Sequence, residues 1–453
     1  MKDLKYIFAY LRPCRRQVAA AVGLVFIECI FEMNIPMLMT GLVDVGVANR
    51  DVPYMLGQGG KMVLCALLAL VTGLLYARYA ARAAYGFGAE LRLAEYRKVQ
   101  EFDFSNLDRF STSSLVTRMT TDVTVMQNAV TSGLRPLVRS PVMLFMGVGM
   151  SFLLNPSLSV VFFVAAPVLG IAMAFLVTRI GPLYVRQQTA VDHLNGRIQE
   201  SLTAIRAIKA FVRGEHEDEA FDRVNRELTG ASVDTFRHAA LNQPVFQVVM
   251  YTAVVCIMWF GGRFILVGSM TVGELTAFLS YVLQVMNSVM MISNVFLLLT
   301  RSLASAHRIR EVLEERPALD EPEAPLMTVP DGRIQFRDVT FRYAEGTGRP
   351  ALSDIDLTIP AGATVGIIGG TGSAKTTLVQ LIPRLYDATQ GTVLVGGQDV
   401  RRYDLAALRD AVGIVLQKNV LFSGTIKDNL RWGNPEATDE EMVRVCKLAQ
   451  AAP

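Results

Sequence analysis

The sequence predicts two folds in series: an all-α domain with six membrane spans, then an α/β domain built around a phosphate-binding loop. Three observations carry this expectation. Hydrophobic residues make up 51% of the 453 and charged residues only 19%, below the roughly 25% usual for soluble domains. Mean hydropathy is positive, at +0.34, and the long apolar runs all lie before residue 301. After Arg333 the pattern changes to short alternating runs interrupted by glycine turns, the signature of strands joined to helices.

Taken in order, residues 1–11 form a short amphipathic segment with Tyr6, Ile7, Phe8, Tyr10 and Leu11. Pro13 is expected to end it, leaving a helix in the membrane surface. Arg12, Arg15 and Arg16 place it on the cytoplasmic side by the positive-inside rule, and no cleaved signal peptide is expected. The first span runs over about 17–43 and the second begins near Met62. Residues 140–178 contain no charge. That is too long for one span of about 20 residues, so Asn155-Pro156-Ser157 is read as a tight outer turn between the third and fourth. The fifth span covers about 239–262. The sixth covers about 275–300, entered after Gly273-Glu274. The loops 78–139 and 179–237 are long, charged, basic and helical in pattern, so two helical hairpins project into the cytoplasm. The expected domains are therefore a membrane domain at 1–315, a proline-punctuated linker at 316–332, and a soluble domain at 333–453.

In the soluble domain Ile334 and Phe336 alternate, while Val339, Phe341 and Tyr343 alternate one residue out of phase, which predicts a bulge near Arg337-Asp338. A β-branched run at 364–368 reads as a buried strand. Leu378, Leu381, Ile382 and Leu385 then recur at helical spacing, so a helix starts near Lys375. Further on come a strand at 392–395, a Gly396-Gly397 turn, a helix near 405–409, a buried strand at 413–416 ending at Gln417, and a helix from about Thr438.

The chemistry sits in Gly369, Gly370, Thr371, Gly372, Ser373, Ala374, Lys375, Thr376 and Thr377. Backbone N–H groups in a glycine turn at a helix start form an anion cradle. Lys375 supplies a full charge for β/γ-phosphates, and the hydroxyl of Thr376 suits Mg²⁺. This is a Walker A loop with one departure, Ala374 where the pattern has glycine. If that position needs φ > 0, alanine costs roughly 1 kcal/mol or more; if it is helical, alanine costs nothing.

Together these residues resemble a half-transporter of the ATP-binding cassette (ABC) exporter family. The resemblance covers nearly the whole chain. It includes the first cytoplasmic hairpin from Phe104 to Val123, the second from Ala207 to Glu217, and the exit from the last span at 302–313. It also takes in the run from Leu421 to Leu430. It implies an exporter-type six-helix bundle followed by a nucleotide-binding domain that takes ATP and Mg²⁺. Tyr343 lies where the family places an aromatic on adenine; the alternative is that it is only the last packed residue of a strand. Gln417 lies at the glutamine that senses Mg²⁺ and couples to the membrane helices. Lys375 and Gln417 are thus the candidate catalytic residues and Thr376 and Gln417 the metal ligands. The family's signature segment, Walker B carboxylates and switch histidine are not found in these 453 residues, so this chain alone is expected to be catalytically incomplete. Implied partners are the lipid bilayer, an amphipathic small-molecule cargo and a second half-transporter. The departure at Ala374 favours an unlike subunit over an identical one. The implied setting is the cell membrane with both termini cytoplasmic, and the implied activity is ATP-driven export. A nucleotide-gated regulator or channel, or an inert half-transporter, is the alternative.

A net charge of +3 gives no argument for nucleic acid. The five cysteines are scattered and the four histidines isolated, with no metal-ligand spacing. Glu28 and Glu32, one helical turn apart in the first span, leave several readings open: a cationic cargo or proton site, lining of a wet cavity, or a pair with another subunit. The methionine-rich run 286–294 reads either as an adaptable cargo surface or as plain helix packing.

Overall fold

The computed structural model describes residues 2–320, 322–343, 349–417 and 419–451, with backbone alone at 293, 294, 296, 297, 300 and 301. The chain divides into two compact units: Met1–Glu101 with Phe110–Arg316, and Phe102–Arg109 with Pro317–Pro453.

The first unit is helical. Its elements are α1 (Lys2–Phe8), α2 (Arg15–Gly41) and α3 (Val52–Gln100); α4 (Phe104–Arg109) interrupts the series as part of the second unit. Then follow α5 (Thr112–Thr117), α6 (Val123–Leu154), α7 (Pro156–Thr203), α8 (Ile205–Ala210), α9 (Gly214–Ala239), α10 (Asn242–Leu266) and α11 (Val272–Glu314). Among the described residues, 6 helical stretches are long and apolar enough to cross a membrane. Their breaks have local causes. Asn155 caps α7 by accepting from the Leu158 N–H at 3.0 Å, and Pro156 takes the first helical position, where its missing N–H costs nothing. Thr271 and Glu274 form a reciprocal capping box that starts α11. Two π-turns, Leu42–Val47 and Arg118–Asp122, extend α2 and precede α6.

Pro13 does not end the N-terminal segment. It lies inside a 3-10 turn, Ala9–Cys14, that runs directly into α2. Nor does α1 present its apolar face to lipid: Leu4 and Ile7 are buried in a cluster with Ala84, Phe87, Leu91, Val123, Ala306 and Ile309. Protein side chains cover the face that amphipathicity alone assigned to a membrane surface. The larger core joins α2, α3, α6, α7, α10 and α11 through residues such as Met33, Phe162, Phe278 and Tyr281, whose hydroxyl donates to the Met33 carbonyl at 2.9 Å. Met286 is fully buried there and Met290 packs against it, so this part of the methionine-rich run is helix packing. The side chains of Ser293 and Asn294 lie outside the described residues.

Glu28 and Glu32 are paired within the chain. Arg139 of α6 donates to Glu28 Oε1 at 2.9 Å and to Glu32 Oε2 at 2.5 Å, and Arg135 donates to Glu28 as well. A carboxylate that is only 3% exposed is thereby neutralised by two guanidinium groups on a neighbouring span. This favours an internal ion pair over a cationic cargo site.

The second unit contains a four-stranded antiparallel sheet, ordered β2-β1-β3-β4, from β1 (Ile334–Phe341), β2 (Leu352–Ile359), β3 (Gln390–Val395) and β4 (Gln398–Asp399). The bulge in β1 is present: register slips between Phe336 and Val339 against β2 and between Arg337 and Thr340 against β3, with Asp338 at φ 50°. Gly391, at φ +79°, faces that bulge, and a Cβ there would overlap the carbonyl oxygens of Arg337 and Asp338. Among the described residues four α-helices belong to this unit besides α4: α12 (Lys375–Gln380), α13 (Leu405–Ala411), α14 (Ile426–Leu430) and α15 (Asp439–Leu448). Phe336, Val339, Phe341, Leu381, Val393, Tyr403 and Leu408 form its core.

Two expected strands are absent among the described residues. Segments 364–368 and 413–416 form no ladder, and they are exposed rather than buried: Ile368 is 98% and Val415 88% exposed. A strand needs a neighbouring backbone to take its N–H and C=O groups. None of the four sheet strands pairs with either segment.

Candidate functional site

The glycine loop is built by close approach. Ser373 Oγ donates to the Gly370 carbonyl at 2.9 Å, and a Cβ at Gly369 would stand 2.7 Å from Ser373 Oγ. Gly372 has φ +84°. Ala374 is left-handed as well, at φ 58° and ψ 23°, immediately before α12. Of the two cases set by the sequence, the costly one holds: the alanine occupies a conformation that suits glycine.

The loop places the ammonium of Lys375 at its centre. Nζ donates to the carbonyls of Gly369 at 2.8 Å and Gly370 at 2.7 Å, and lies 3.2 Å from Ser373 Oγ. In the same unit α13, α14 and α15 each carry a side-chain cap from Asp404, Thr425 and Thr438. Ala374 supplies no such cap to α12. The first N–H groups of α12 have no intrahelical partner, so with the cation beside them they form an anion site. That donor set fits a polyphosphate.

Tyr343, Thr371, Gly372, Ser373, Ala374, Lys375, Thr376, Thr377 and Gln417 line one cleft of about 880 Å³. Gly369 and Gly370 shape the loop from behind, through the carbonyls that hold Lys375. Thr376 and Gln417 are exposed at the cleft, whereas Thr377 is buried. Thr376 and Gln417 are among the side chains with oxygens that line the cleft, with Thr371 and Ser373, and such oxygens suit a hard cation. Among the described residues, no Asp or Glu lines this cleft.

Tyr343 satisfies parts of both readings. Its hydroxyl is 2.7 Å from Thr377 Oγ1, tying it to α12. Its ring packs edge-on to Phe341 at 4.9 Å and Tyr386 at 5.4 Å, yet it stays 49% exposed on the cleft. The residues behind it escaped sequence reasoning. Tyr386 is 5.9 Å from Phe104 of α4, and its hydroxyl donates to Asp108 at 2.9 Å. Burial, reinforced by Asp108, pushes the Tyr386 phenol well above its ordinary value. Asp103 accepts from the Leu319 N–H at 2.9 Å. Phe104 and Asp108 lie more than two hundred and seventy positions from Tyr386, and no local periodicity signals a contact so remote.

The family model described as ABC transporter transmembrane region matches residues 18–289, and the model described as ABC transporter matches 352–452. The chain is 33% identical to the uncharacterized ABC transporter ATP-binding protein YfiB of Bacillus subtilis (strain 168), over 98% of this chain and 77% of that protein. It is 29% identical to an ATP-dependent lipid A-core flippase of Desulfotalea psychrophila, over 91% and 72% of the two chains. It is 28% identical to the putative multidrug export ATP-binding/permease protein YgaD of Bacillus subtilis (strain 168), over 100% and 79%.

Proposed function

Because this chain belongs to the ABC transporter family, we propose that it drives export of amphipathic small molecules, drug-like or lipid, across the cell membrane at the expense of ATP. The observation that carries this reading is the Lys375 ammonium held at the centre of a glycine loop, at an uncapped helix start, in a chain with six apolar helices. The names of two relatives, a lipid A-core flippase and a putative multidrug exporter, support the cargo class. In this reading both termini are cytoplasmic, since Arg12, Arg15 and Arg16 flank the first span.

The lining of the cleft supports the following roles. Lys375 and the N–H groups of residues 370–377 hold the phosphates, Thr376 and Gln417 hold Mg²⁺, and Tyr343 stacks on adenine. Bound Mg²⁺ would neutralise phosphate charge. The chain's own contribution is a positioned cation in a hydrogen-bonded loop, and among the described residues no carboxylate lines the cleft. For the 453-residue chain by itself the proposal is nucleotide binding without turnover. The residues 316–332 act as a linker between a membrane domain at 1–315 and a nucleotide domain at 333–453. The partner is a second half-transporter, and Ala374, a departure within the phosphate loop, supports an unlike subunit. Co-expression should then yield a mixed dimer; a stable homodimer with two equivalent nucleotide sites overturns that assignment.

Replacing Lys375 by alanine removes a charge-assisted contact of about 1.5–3 kcal/mol, so affinity for a labelled ATP analogue should fall about 10–100-fold. In vesicles containing the full transporter, ATP-dependent uptake of a fluorescent amphiphile should be lost in the same variant. Movement that needs nucleotide binding without hydrolysis would indicate a gated channel instead. Phosphate release by the purified chain that Lys375→Ala abolishes would overturn the assignment of binding without turnover.

A further inference from the structure

Glu95 is the least compensated charge-bearing side chain described in the first unit. It sits in the charged cytoplasmic extension of α3, beyond the apolar stretch 62–77, and is 0% exposed. Neither carboxyl oxygen has a hydrogen-bond partner. An ionised carboxylate in that position bears an uncompensated desolvation cost, which the neutral acid largely avoids.

Groups of both signs surround it, and they are already engaged. Arg92, on α3 itself, donates to Gln127 of α6 at 2.5 Å. Arg118, from the π-turn, donates to Glu311 of α11 at 2.8 Å and to the Arg308 carbonyl at 2.7 Å. Asp122, also from the π-turn, is 1% exposed and accepts from Arg308 Nε at 2.8 Å and Ser305 at 2.9 Å. Tyr10 faces Glu95 from the N-terminal 3-10 turn. The bonds from Arg118 and Arg308 latch the first cytoplasmic hairpin to α11, and Glu95 lies beside that latch without belonging to it.

We propose that Glu95 is a proton-binding site that sets this latch: neutral, it leaves Arg118 on α11; ionised, it draws Arg118 away from Glu311 and the Arg308 carbonyl, so that the hairpin is held to α11 by the Asp122 bonds from Arg308 and Ser305 without those of Arg118. The proton lost goes to solvent, and no other bond changes. Burial, with Asp122 close by, pushes the carboxyl from 4.5 up to about 8, although Arg118 and Arg92 oppose the shift. The sign is definite. A carboxyl raised in the folded state favours the fold fully below 4.5 and loses that contribution as pH climbs towards about 8. The latch is thus tight in mild acid and loosens across neutral to mildly alkaline pH.

The test uses the full chain in lipid nanodiscs. Infrared difference spectra between mildly acidic and alkaline pH should show a protonated carboxylic acid band that vanishes as pH rises and is missing from Glu95→Gln. Spin labels at the exposed positions Val116 and Ala304 should report a distance distribution that widens over the same interval. In Glu95→Gln, and in the apolar variant Glu95→Leu should the amide variant fold poorly, that distribution should stay fixed. A titrating band that persists in both variants, or spin-label distances that respond to pH equally in wild type and variants, would overturn the proposal. So would a wild-type distance that does not move while the band titrates.

Discussion

The membrane helices and the two segments beside the phosphate loop are both apolar, and both expose apolar side chains. Phe145 on α6 is 75% exposed and Leu74 on α3 is 64% exposed; Ile368 and Val415 reach 98% and 88%. Yet α3 and α6 are continuous helices, and 364–368 and 413–416 form no strand. A helix takes its backbone hydrogen bonds from its own sequence and can face lipid with side chains alone. A strand takes its backbone bonding from a neighbour, so an apolar run without one forms no ladder. Order in the first unit is largely local, whereas order around the nucleotide loop depends on what lies alongside.

That contrast is sharpest at the polar centre of the helical unit. There local bonding is not enough, because Glu28 and Glu32 need Arg135 and Arg139. Replacing Arg139 by alanine strands Glu32 and leaves Glu28 with one partner, a loss of about 3 kcal/mol. Denaturation of the purified chain in mixed micelles should show it, and adding Glu32→Gln should recover part of the loss. A neutral Arg139→Ala would mean the helices hold without their ion pairs, and the two units would differ even more than proposed.

The sheet provides the complementary case. Gly391→Ala adds a Cβ against the bulge carbonyls at a positive φ, so overlap and strain together should cost about 2 kcal/mol. The effect should be confined to the second unit, read as faster hydrogen exchange in β1 and β3 with α2 and α6 unchanged. A loss of protection in both units would erase the distinction between local and borrowed order.

The same physics explains what could be read in the sequence. The break at Asn155 with Pro156 was legible because its cause is two adjacent residues, whereas the helix of the sixth span, whose entry was read after Gly273-Glu274, already starts at Val272 under the Thr271 cap. The bulge at Arg337-Asp338 was legible because a slip in alternation moves every later side chain to the other face. The loop from Gly369 to Thr377 was legible as a motif, and the structure gathers most of it with Tyr343 and Gln417 around one cleft. What escaped depends on distant partners. The pairing of Glu28 with Arg135 spans more than a hundred residues, the burial of α1 depends on Ala306 and Ile309, and the strands at 364–368 and 413–416 were inferred from composition with no pairing neighbour in view.

The smallest predicted effect falls at Ala374, where local conformation and site meet. Its left-handed backbone costs an L-residue about 1–2 kcal/mol. Glycine would remove that strain but widen the unfolded ensemble, which returns part of the gain. Ala374→Gly should therefore stabilise the loop by about 1 kcal/mol, roughly a fivefold change in a local opening equilibrium. Hydrogen exchange across residues 370–378 is the direct measurement. Affinity for an ATP analogue should rise by no more than the same factor, because Lys375 is already held in the loop and glycine adds no new donor. Exchange unchanged by the substitution would show that Ala374 leaves the left-handed region in solution. The strain would then be set by loop surroundings rather than by the alanine, and the phosphate loop would join the segments whose order is borrowed.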